Sequence, residues 1–179
     1  MSADPDLMTR LGAAPLFQGL ENDELACLAE VVDEVTVDAG HTVLRQGEYS
    51  DELYVIAAGT AEVSVLSAGE RSHVISFLGP GDHFGEISLL TSHPCIASVV
   101  ASSQLNLMRL RREALADYLA WGAQLRGQLL ETSVLRAGTT LEHVIQAANE
   151  GRAVAPFNQL LRRLIDHQVD AMRAAEMRG

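Results

Sequence analysis

Residues 39–65 read AGHTVLRQGEYSDELYVIAAGTAEVSV, and this stretch decides the fold. Short segments rich in valine, isoleucine, leucine and threonine are separated by glycines at Gly40, Gly47 and Gly59. Branched and aromatic residues favour strands, and glycine permits the tight turns between them. In AEVSV, residues 61–65, apolar and polar residues alternate, as in a strand with one face in a core. The stretch therefore predicts three consecutive strands.

The same pattern extends outward on both sides of this stretch, from about residue 34 to about residue 110. The predicted strands are VTV (35–37), HTVLRQ (41–46), ELYVIAAG (52–59), TAEVSVL (60–66), HVISFL (73–78), ASVVA (97–101) and LNLMRL (105–110). Seven or eight short strands separated by turns are typical of a β-sandwich or roll. We predict an α+β fold, mainly β, in which an antiparallel β-roll over 34–110 carries helices at both ends.

Helical periodicity flanks the predicted roll on both sides. Helices are expected over 9–33: a short piece from Leu11 to Phe17, then a helix capped by Asn22 with acids in its first turn. A long helix is expected over 111–137, bent near Trp121 and Gly122. We predict a first domain over 1–137 and a helical extension over 138–179.

Two apolar helical surfaces are candidates for contact with a partner. In the last segment the stripe consists of Phe157, Leu160, Leu161, Leu164, Ile165, Val169 and Met172. The preceding helix pair carries Leu115, Leu119, Leu125, Leu129, Leu130 and Leu135. The final stripe is consistent with packing onto its own chain or with covering by a dimer partner. A homodimer through the C-terminal helices is the preferred assembly.

The charge and composition exclude several functional classes. Hydrophobic residues make up 47% and charged residues 21%, as in ordinary folded proteins. The net charge is −11, and all 13 basic residues are arginine, so a phosphate backbone is repelled and direct nucleic-acid binding is not expected. The chain has no apolar run of about 20 residues, the length of a membrane span, and its first residues do not resemble a signal peptide. We expect no membrane association and a cytoplasmic location.

The sequence contains no recognisable catalytic motif. The six histidines form no H-x-H pair, and no G-x-S-x-G, P-loop or catalytic-cysteine pattern occurs. We therefore expect no metal and no catalytic residue. The cysteines, Cys27 and Cys95, are too few for a disulfide framework. Cys27 is expected to pack in the core on the apolar face of its helix.

One segment has the character of an anion site. In GPGDHFGEISLLTSHPCIASVVA, residues 79–101, Gly85 precedes a predicted short helix whose free N–H groups face outward at its start. A glycine there allows the backbone to approach a ligand closely.

Residues 13 to 135, from PLFQGLENDELACLA through 39–65 to the segment 79–101, resemble the cyclic-nucleotide-binding domain family. The resemblance implies that 79–101 is a phosphate-binding cassette, in which Glu86 accepts a hydrogen bond from a ribose hydroxyl. It also implies that the helix formed by Ile87, Ser88, Leu89 and Leu90 lies over the sugar and phosphate. The candidate ligand-binding residues are Gly85, Glu86, Ile87, Ser88, Cys95, Ile96, Ala97 and Ser98.

The cassette departs from the family pattern at two positions. Nine residues after the glutamate the family usually has an arginine, followed by a small residue, and this chain has Cys95 and Ile96. Both changes oppose phosphate binding. Glu86 is retained, which is consistent either with a sugar or nucleoside ligand or with a structural bond to a nearby donor. Cys95 is interpreted as a small apolar replacement rather than a redox sensor, although a helix N-terminus can lower a thiol pKa.

We therefore expect a non-enzymatic regulatory module with no cofactor and weak or absent cyclic-nucleotide binding, acting through a protein partner or a homodimer. The alternative is a functional receptor for cyclic AMP, cyclic GMP or another small ligand that signals through its C-terminal helices. A winged helix-turn-helix is not expected, because the roughly 40 residues after 137 contain no strand pair and no basic recognition helix.

Overall fold

The structure, a computed structural model, describes residues 4–66, 72–121 and 123–149. Its strands are β1 Asp33–Val37, β2 Thr42–Leu44, β3 Glu52–Ala58, β4 Ala61–Leu66, β5 Ser72–Leu78, β6 His83–Phe84, β7 Ser98–Ala101 and β8 Leu105–Arg111. Its α-helices are α1 Pro5–Ala13, α2 Asn22–Val31, α3 Glu86–Thr91, α4 Arg112–Trp121 and α5 Ala123–Asn149, and a 3-10 turn spans Pro15–Phe17.

The strands form two four-stranded antiparallel sheets. One has the order β1-β8-β3-β6 and the other the order β2-β7-β4-β5. Consecutive strands alternate between sheets at several points, which rolls the chain into a two-layered structure. The predicted antiparallel β-roll with helices at both ends is confirmed.

The central strand β3 explains how the layers stack. Its residues 53–56 are buried on both faces, unlike a strand with one face in water. Leu53 and Val55 face a core shared with the helices, whereas Tyr54 and Ile56 face a core between the sheets. The Tyr54 ring also stacks on that of Phe84 in β6, with centroids 5.1 Å apart. The sheet containing β3 thus separates the helical layer from the second sheet.

The N-terminal helix begins earlier than the predicted bound at residue 9. It starts at Pro5, because the Asp4 side chain accepts a hydrogen bond from the Asp6 N–H at 2.9 Å and proline is favoured in the first helical turn. The piece predicted from Leu11 to Phe17 is not continuous. An extended residue, Ala14, separates α1 from the 3-10 turn that Pro15 opens.

Two predictions about α2 were wrong. The capping residue is Glu21, not Asn22, and the Glu24 carboxylate accepts the Glu21 N–H at 2.8 Å in a capping arrangement. Cys27 is exposed rather than in the core. It lies two positions from Leu25, about 200° around the helix, and therefore points away from the face that Leu25 buries.

Two details of the sheets were not anticipated. The alternation predicted for residues 61–65 is interrupted by a register shift between Val63 and Ser64, so Ser64 and Val65 are both buried. Strand β6 was missed because His83–Phe84 is too short to show a period. Its two residues pair with Tyr54 and Val55 of β3 and bring the chain to the start of α3.

The predicted bend near Trp121 coincides with the division between α4 and α5, but the predicted helix end near Ala137 was wrong. Helix α5 continues to Asn149. Packing supports the helix across its predicted end, because Ala137 is fully buried and Thr140 is 5% exposed. The Thr139 hydroxyl donates to the Leu135 carbonyl at 3.1 Å and is therefore satisfied within the helix.

The leucines assigned to a partner surface are divided. Leu115, Leu125 and Leu129 are buried in the chain's own helical core, against residues of α1 and the 3-10 turn. Leu135 is 66% exposed. The side chain of Leu119 and the predicted stripe over 157–172 lie outside the described residues. Among the described helices, none is both long and apolar enough to cross a membrane.

Candidate ligand pocket

A cavity of about 220 Å³ opens between the second sheet, α3 and α5. Its apolar lining consists of Leu44, Val63, Ile75, Leu78, Phe84, Ile87, Cys95, Ile96, Ala97 and Val99. Its remaining lining residues are Ser76, Gly85, Glu86, Ser88, Arg136, Thr139 and Thr140. A concave, mostly apolar site with a few polar groups is the usual form of a small-molecule pocket.

Gly85 sets the position of α3. It caps the helix in the left-handed region, with φ of 93°. A Cβ built at this position would lie 2.3 Å from the Glu52 carbonyl oxygen, so no other residue fits without moving β3 or α3. The glycine therefore brings the beginning of α3 against the edge of β3, as the sequence predicted for a close backbone approach.

Glu86 is the buried acid of the pocket. It is 2% exposed, and its Oε1 atom lies 3.4 Å from Nη1 of Arg136 on α5. Burial raises the pKa of the Glu86 carboxyl, and the nearby guanidinium opposes that rise only in part. The nearby donor that the sequence left open as an alternative is therefore present, and it comes from 50 residues further along the chain.

The Arg136 guanidinium forms a second hydrogen bond beside Glu86. Its Nη1 also donates to the backbone carbonyl of His83. The His83 ring beside it is buried, and burial together with the Arg136 charge lowers its pKa to about 3. His83 is therefore neutral at physiological pH. The charged side chains among the residues that line the pocket are those of Glu86 and Arg136.

Ser88 and the segment around Cys95 hold the loop before β3. The Ser88 hydroxyl lies 2.7 Å from the Ser50 carbonyl oxygen and accepts the Ser50 N–H at 3.3 Å. The backbone of Cys95 pairs with that loop twice, from its N–H to the Glu48 carbonyl and from the Gly47 N–H to its own carbonyl, each at 2.8 Å. These backbone bonds fix the cassette without any arginine at position 95.

The Cys95 side chain contributes an apolar surface to the pocket. It is 8% exposed, and burial raises the pKa of its thiol. A protonated thiol is a poor nucleophile, so the environment does not activate it. Ile96, next to it, adds a branched side chain to the same wall.

Seven of the eight predicted site residues line the pocket, and Ser98 does not. The Ser98 hydroxyl accepts the Gln46 N–H at 3.0 Å and so supports the sheet instead. Sequence reasoning missed the contribution of α5, namely Arg136, Thr139 and Thr140. Their spacing of three and four residues places them on one helical face, but the helix was expected to end near 137.

Comparison with known proteins agrees with this architecture. Residues 34–120 match the cyclic nucleotide-binding domain family. Over 166 residues the chain is 28% identical to a CRP-like cAMP-activated global transcriptional regulator of Mycobacterium tuberculosis, covering 91% of this chain and 74% of the regulator.

Among solved structures, the chain resembles the regulatory subunit of a cAMP-independent protein kinase A from Trypanosoma brucei, with 28% identity and a TM-score of 0.65. That match covers 70% of this chain and 45% of the other. A triple mutant of that subunit bound to cAMP in the A site matches with 27% identity and a TM-score of 0.63, covering 72% of this chain and 45% of that one. This chain thus spans less than half of those two chains.

Three findings agree on the family to which residues 34–120 are assigned. They are the two-layered roll, the glycine-capped helix α3 beside the pocket, and the match of residues 34–120. Residues 34–120 form a cyclic nucleotide-binding domain, and the relatives named above are regulatory proteins.

Proposed function

We propose that this chain is a regulatory module, not an enzyme, whose pocket binds cyclic AMP and cyclic GMP weakly or not at all. One observation carries the proposal. The charged residues among those that line the described pocket are Glu86 and Arg136, and they contact each other. The wall where the family places an arginine and a small residue is formed by Cys95 and Ile96.

The energetic consequence is large enough to abolish tight binding. A hydrogen bond to a charged group contributes roughly 1.5–3 kcal/mol, which corresponds to about 10- to 150-fold in affinity. A phosphate buried against Cys95 and Ile96 would lose that contribution and also its hydration. Arg136 could replace the missing cation only in part, because its charge already faces the buried carboxylate of Glu86.

The Trypanosoma brucei structures support this reasoning. The first is described as a cAMP-independent kinase regulatory subunit. The second is a mutant bound to cAMP, in which a threonine is replaced by arginine, the next valine by alanine and a separate glutamate by alanine. The first two substitutions introduce the residue types that this chain lacks at Cys95 and Ile96.

The C-terminal helices are the proposed output of the module. Helix α5 lines the pocket with Arg136 and Thr140, while Leu125 and Leu129 lie in the helical core. Near its start, the Gln128 side chain donates to the Gln18 carbonyl at 3.3 Å. A change at the pocket would therefore move a helix that also contacts the N-terminal layer. We propose that a protein partner or a second copy of the chain, rather than nucleic acid, reads the position of this helix.

Isothermal titration calorimetry with cyclic AMP and cyclic GMP tests the proposal. The unmodified chain should show no binding at micromolar nucleotide. The double variant Cys95→Arg with Ile96→Ala should gain at least about tenfold in affinity, because it restores a cation and space for the phosphate. Cys27→Arg is the matched control, since it adds the same charge at an exposed position, and it should behave as the unmodified chain.

Two results would decide against the proposal. Micromolar binding of either nucleotide to the unmodified chain would make it an ordinary cyclic-nucleotide receptor. A double variant that retains its circular dichroism spectrum yet gains no affinity would show that residues 95 and 96 are not what limits binding.

A second candidate function is reception of a different small ligand. The cavity of about 220 Å³ favours it, because a pocket used only as a packing surface has no need of such a volume. The candidate ligand-binding residues are then Gly85, Glu86, Ile87, Ser88, Cys95, Ile96 and Ala97 of the cassette, with Arg136, Thr139 and Thr140 of α5.

A further inference from the structure

The chemical class of that ligand can be argued from the walls of the pocket. Leu44 and Val99 come from the second sheet, Ile87 from α3 and Ile96 from the loop before β7. They place branched aliphatic side chains around the space that a ligand would occupy. A surface of this kind gains free energy when it covers apolar area and loses free energy when it strips water from a charge.

The charges of the pocket are already matched to one another. Nη1 of Arg136 reaches both Glu86 Oε1 and the His83 carbonyl oxygen. The pair is therefore neutral as a unit, and an anion would have to compete with a buried carboxylate for the same guanidinium. A cation would face the same competition for Glu86. Neither kind of ion meets an uncommitted opposite charge among the described residues that line the pocket.

We infer that the pocket takes an uncharged, largely apolar small molecule, with an aromatic or branched aliphatic body enclosed by the sheet, α3 and α5. The hydroxyl-bearing residues Ser76 and Thr140 allow at most a small neutral polar group on that body. This inference rests on the proposed function, since it assigns a ligand class to the same pocket from which cyclic nucleotides are excluded.

Two dyes that share one skeleton test the charge requirement. N-phenyl-1-naphthylamine is uncharged, and 8-anilinonaphthalene-1-sulfonate carries one sulfonate on the same rings. Each is titrated against the full chain and followed by fluorescence. We expect the uncharged dye to bind at one site, at least about tenfold more tightly than the sulfonate, because only the sulfonate must give up its hydration in the pocket. Equal or tighter binding of the sulfonate would overturn the inference, as would the absence of binding by the uncharged dye.

Substitutions locate the dye. Ala97→Leu fills the pocket from its wall, and Ser76→Phe fills it from an exposed position on β5 that tolerates a larger side chain. Ala58→Leu is the control, because Ala58 is an exposed alanine at the end of β3 that is not part of the pocket lining. We expect either filling variant to weaken the uncharged dye by about tenfold or more and the control to leave it unchanged. Unchanged binding in a folded filling variant would place the dye elsewhere and refute the inference.

The dye experiment and the nucleotide experiment fail independently. Tight cyclic AMP binding by the unmodified chain would refute the proposed function, and the dye titration contains no nucleotide. Conversely, a preference for the sulfonate would refute the ligand class while leaving weak cyclic-nucleotide binding untouched.

Discussion

Replacing Arg136 with methionine removes the guanidinium beside Glu86 while keeping much of the side-chain volume. Two unit charges 3.4 Å apart attract each other by about 5 kcal/mol at an effective dielectric constant of 20. That figure is an upper bound, since the Arg136 side chain is 30% exposed and solvent screens part of the attraction. The separation also exceeds the 2.7–2.9 Å of a strong charge-assisted bond. We expect a charge contribution of about 1–3 kcal/mol, with about 1 kcal/mol more from the lost bond to the His83 carbonyl.

The pH dependence separates these contributions. Burial raises the pKa of Glu86 in the folded state above its unfolded value, so the folded chain binds more protons and its stability falls as pH rises through the folded pKa. Without Arg136 that pKa rises further and the fall steepens, by at most about 1.4 kcal/mol per pH unit. Removal of the Arg136 charge also lets the lowered pKa of His83 rise, so the variant loses less stability than the unmodified chain when the pH is lowered. Both effects make the loss of folding stability caused by Arg136→Met large near pH 8 and small near pH 5.

Equilibrium urea unfolding of both proteins between pH 5 and pH 8 measures this loss. Arg45→Met is the matched control, because Arg45 forms an exposed pair with Glu48 and should cost less than about 1 kcal/mol at every pH. Adding Glu86→Gln to the Arg136 variant should remove most of the pH dependence. A loss that is equal at pH 5 and pH 8, or no larger than that of the control, would show that the pair does not stabilise the fold in the way the contacts indicate.

Two further predictions concern the backbone of the cassette and the two thiols. Gly85→Ala should destabilise the chain by about 1–3 kcal/mol more than Gly47→Ala in the same unfolding assay. Both glycines have φ near +90°, so the cost of a left-handed backbone cancels, but only at Gly85 would a Cβ meet the Glu52 carbonyl. Equal losses would contradict the close approach. Cys27 is exposed, whereas Cys95 is buried and the pKa of its thiol is raised. With a chromogenic disulfide reagent at pH 8, we expect one equivalent of the coloured thiol to be released quickly by Cys27 and a second only as fast as the fold opens around Cys95. Two equally fast equivalents would contradict this expectation.

The strands could be predicted because their signal is local. Branched residues between glycine turns are sufficient to identify β3 and β4, and the structure places both within one residue of the predicted bounds. Strand β6 gives no such signal, since His83–Phe84 is held by pairing with β3 rather than by its own propensity. The exposure of Cys27 could have been predicted, because helical geometry places it off the face defined by Leu25 and Leu28.

Only those pocket residues that lie in the cassette, residues 79–101, could be predicted from the sequence. Gly85 and Glu86 stand next to each other in a segment with a recognisable order, so they were found. Arg136 is 50 residues away from Glu86 and reaches it only because α5 lies across α3, a tertiary contact that no periodicity encodes. The predicted end of the helix near 137 removed Thr139 and Thr140 as well. The residues that follow the predicted end are Gly138, Thr139 and Thr140, and burial of Ala137 and Thr140 overrides the low helix propensity of glycine and threonine.

The same contact explains why Glu86 can remain where the cassette has no arginine. A carboxyl that is 2% exposed needs a partner if it is ionised, and in a cassette without ligand its own segment offers none of opposite charge among the described residues. Arg136 meets that need from α5, and the carbonyl of His83 fixes the guanidinium in place. The consequence is that the position of α5 stabilises the carboxylate whether or not anything occupies the pocket. If the pocket takes a ligand, as we propose, that ligand would act by changing how α5 packs over the apolar wall, since the charge beside α3 is already neutralised.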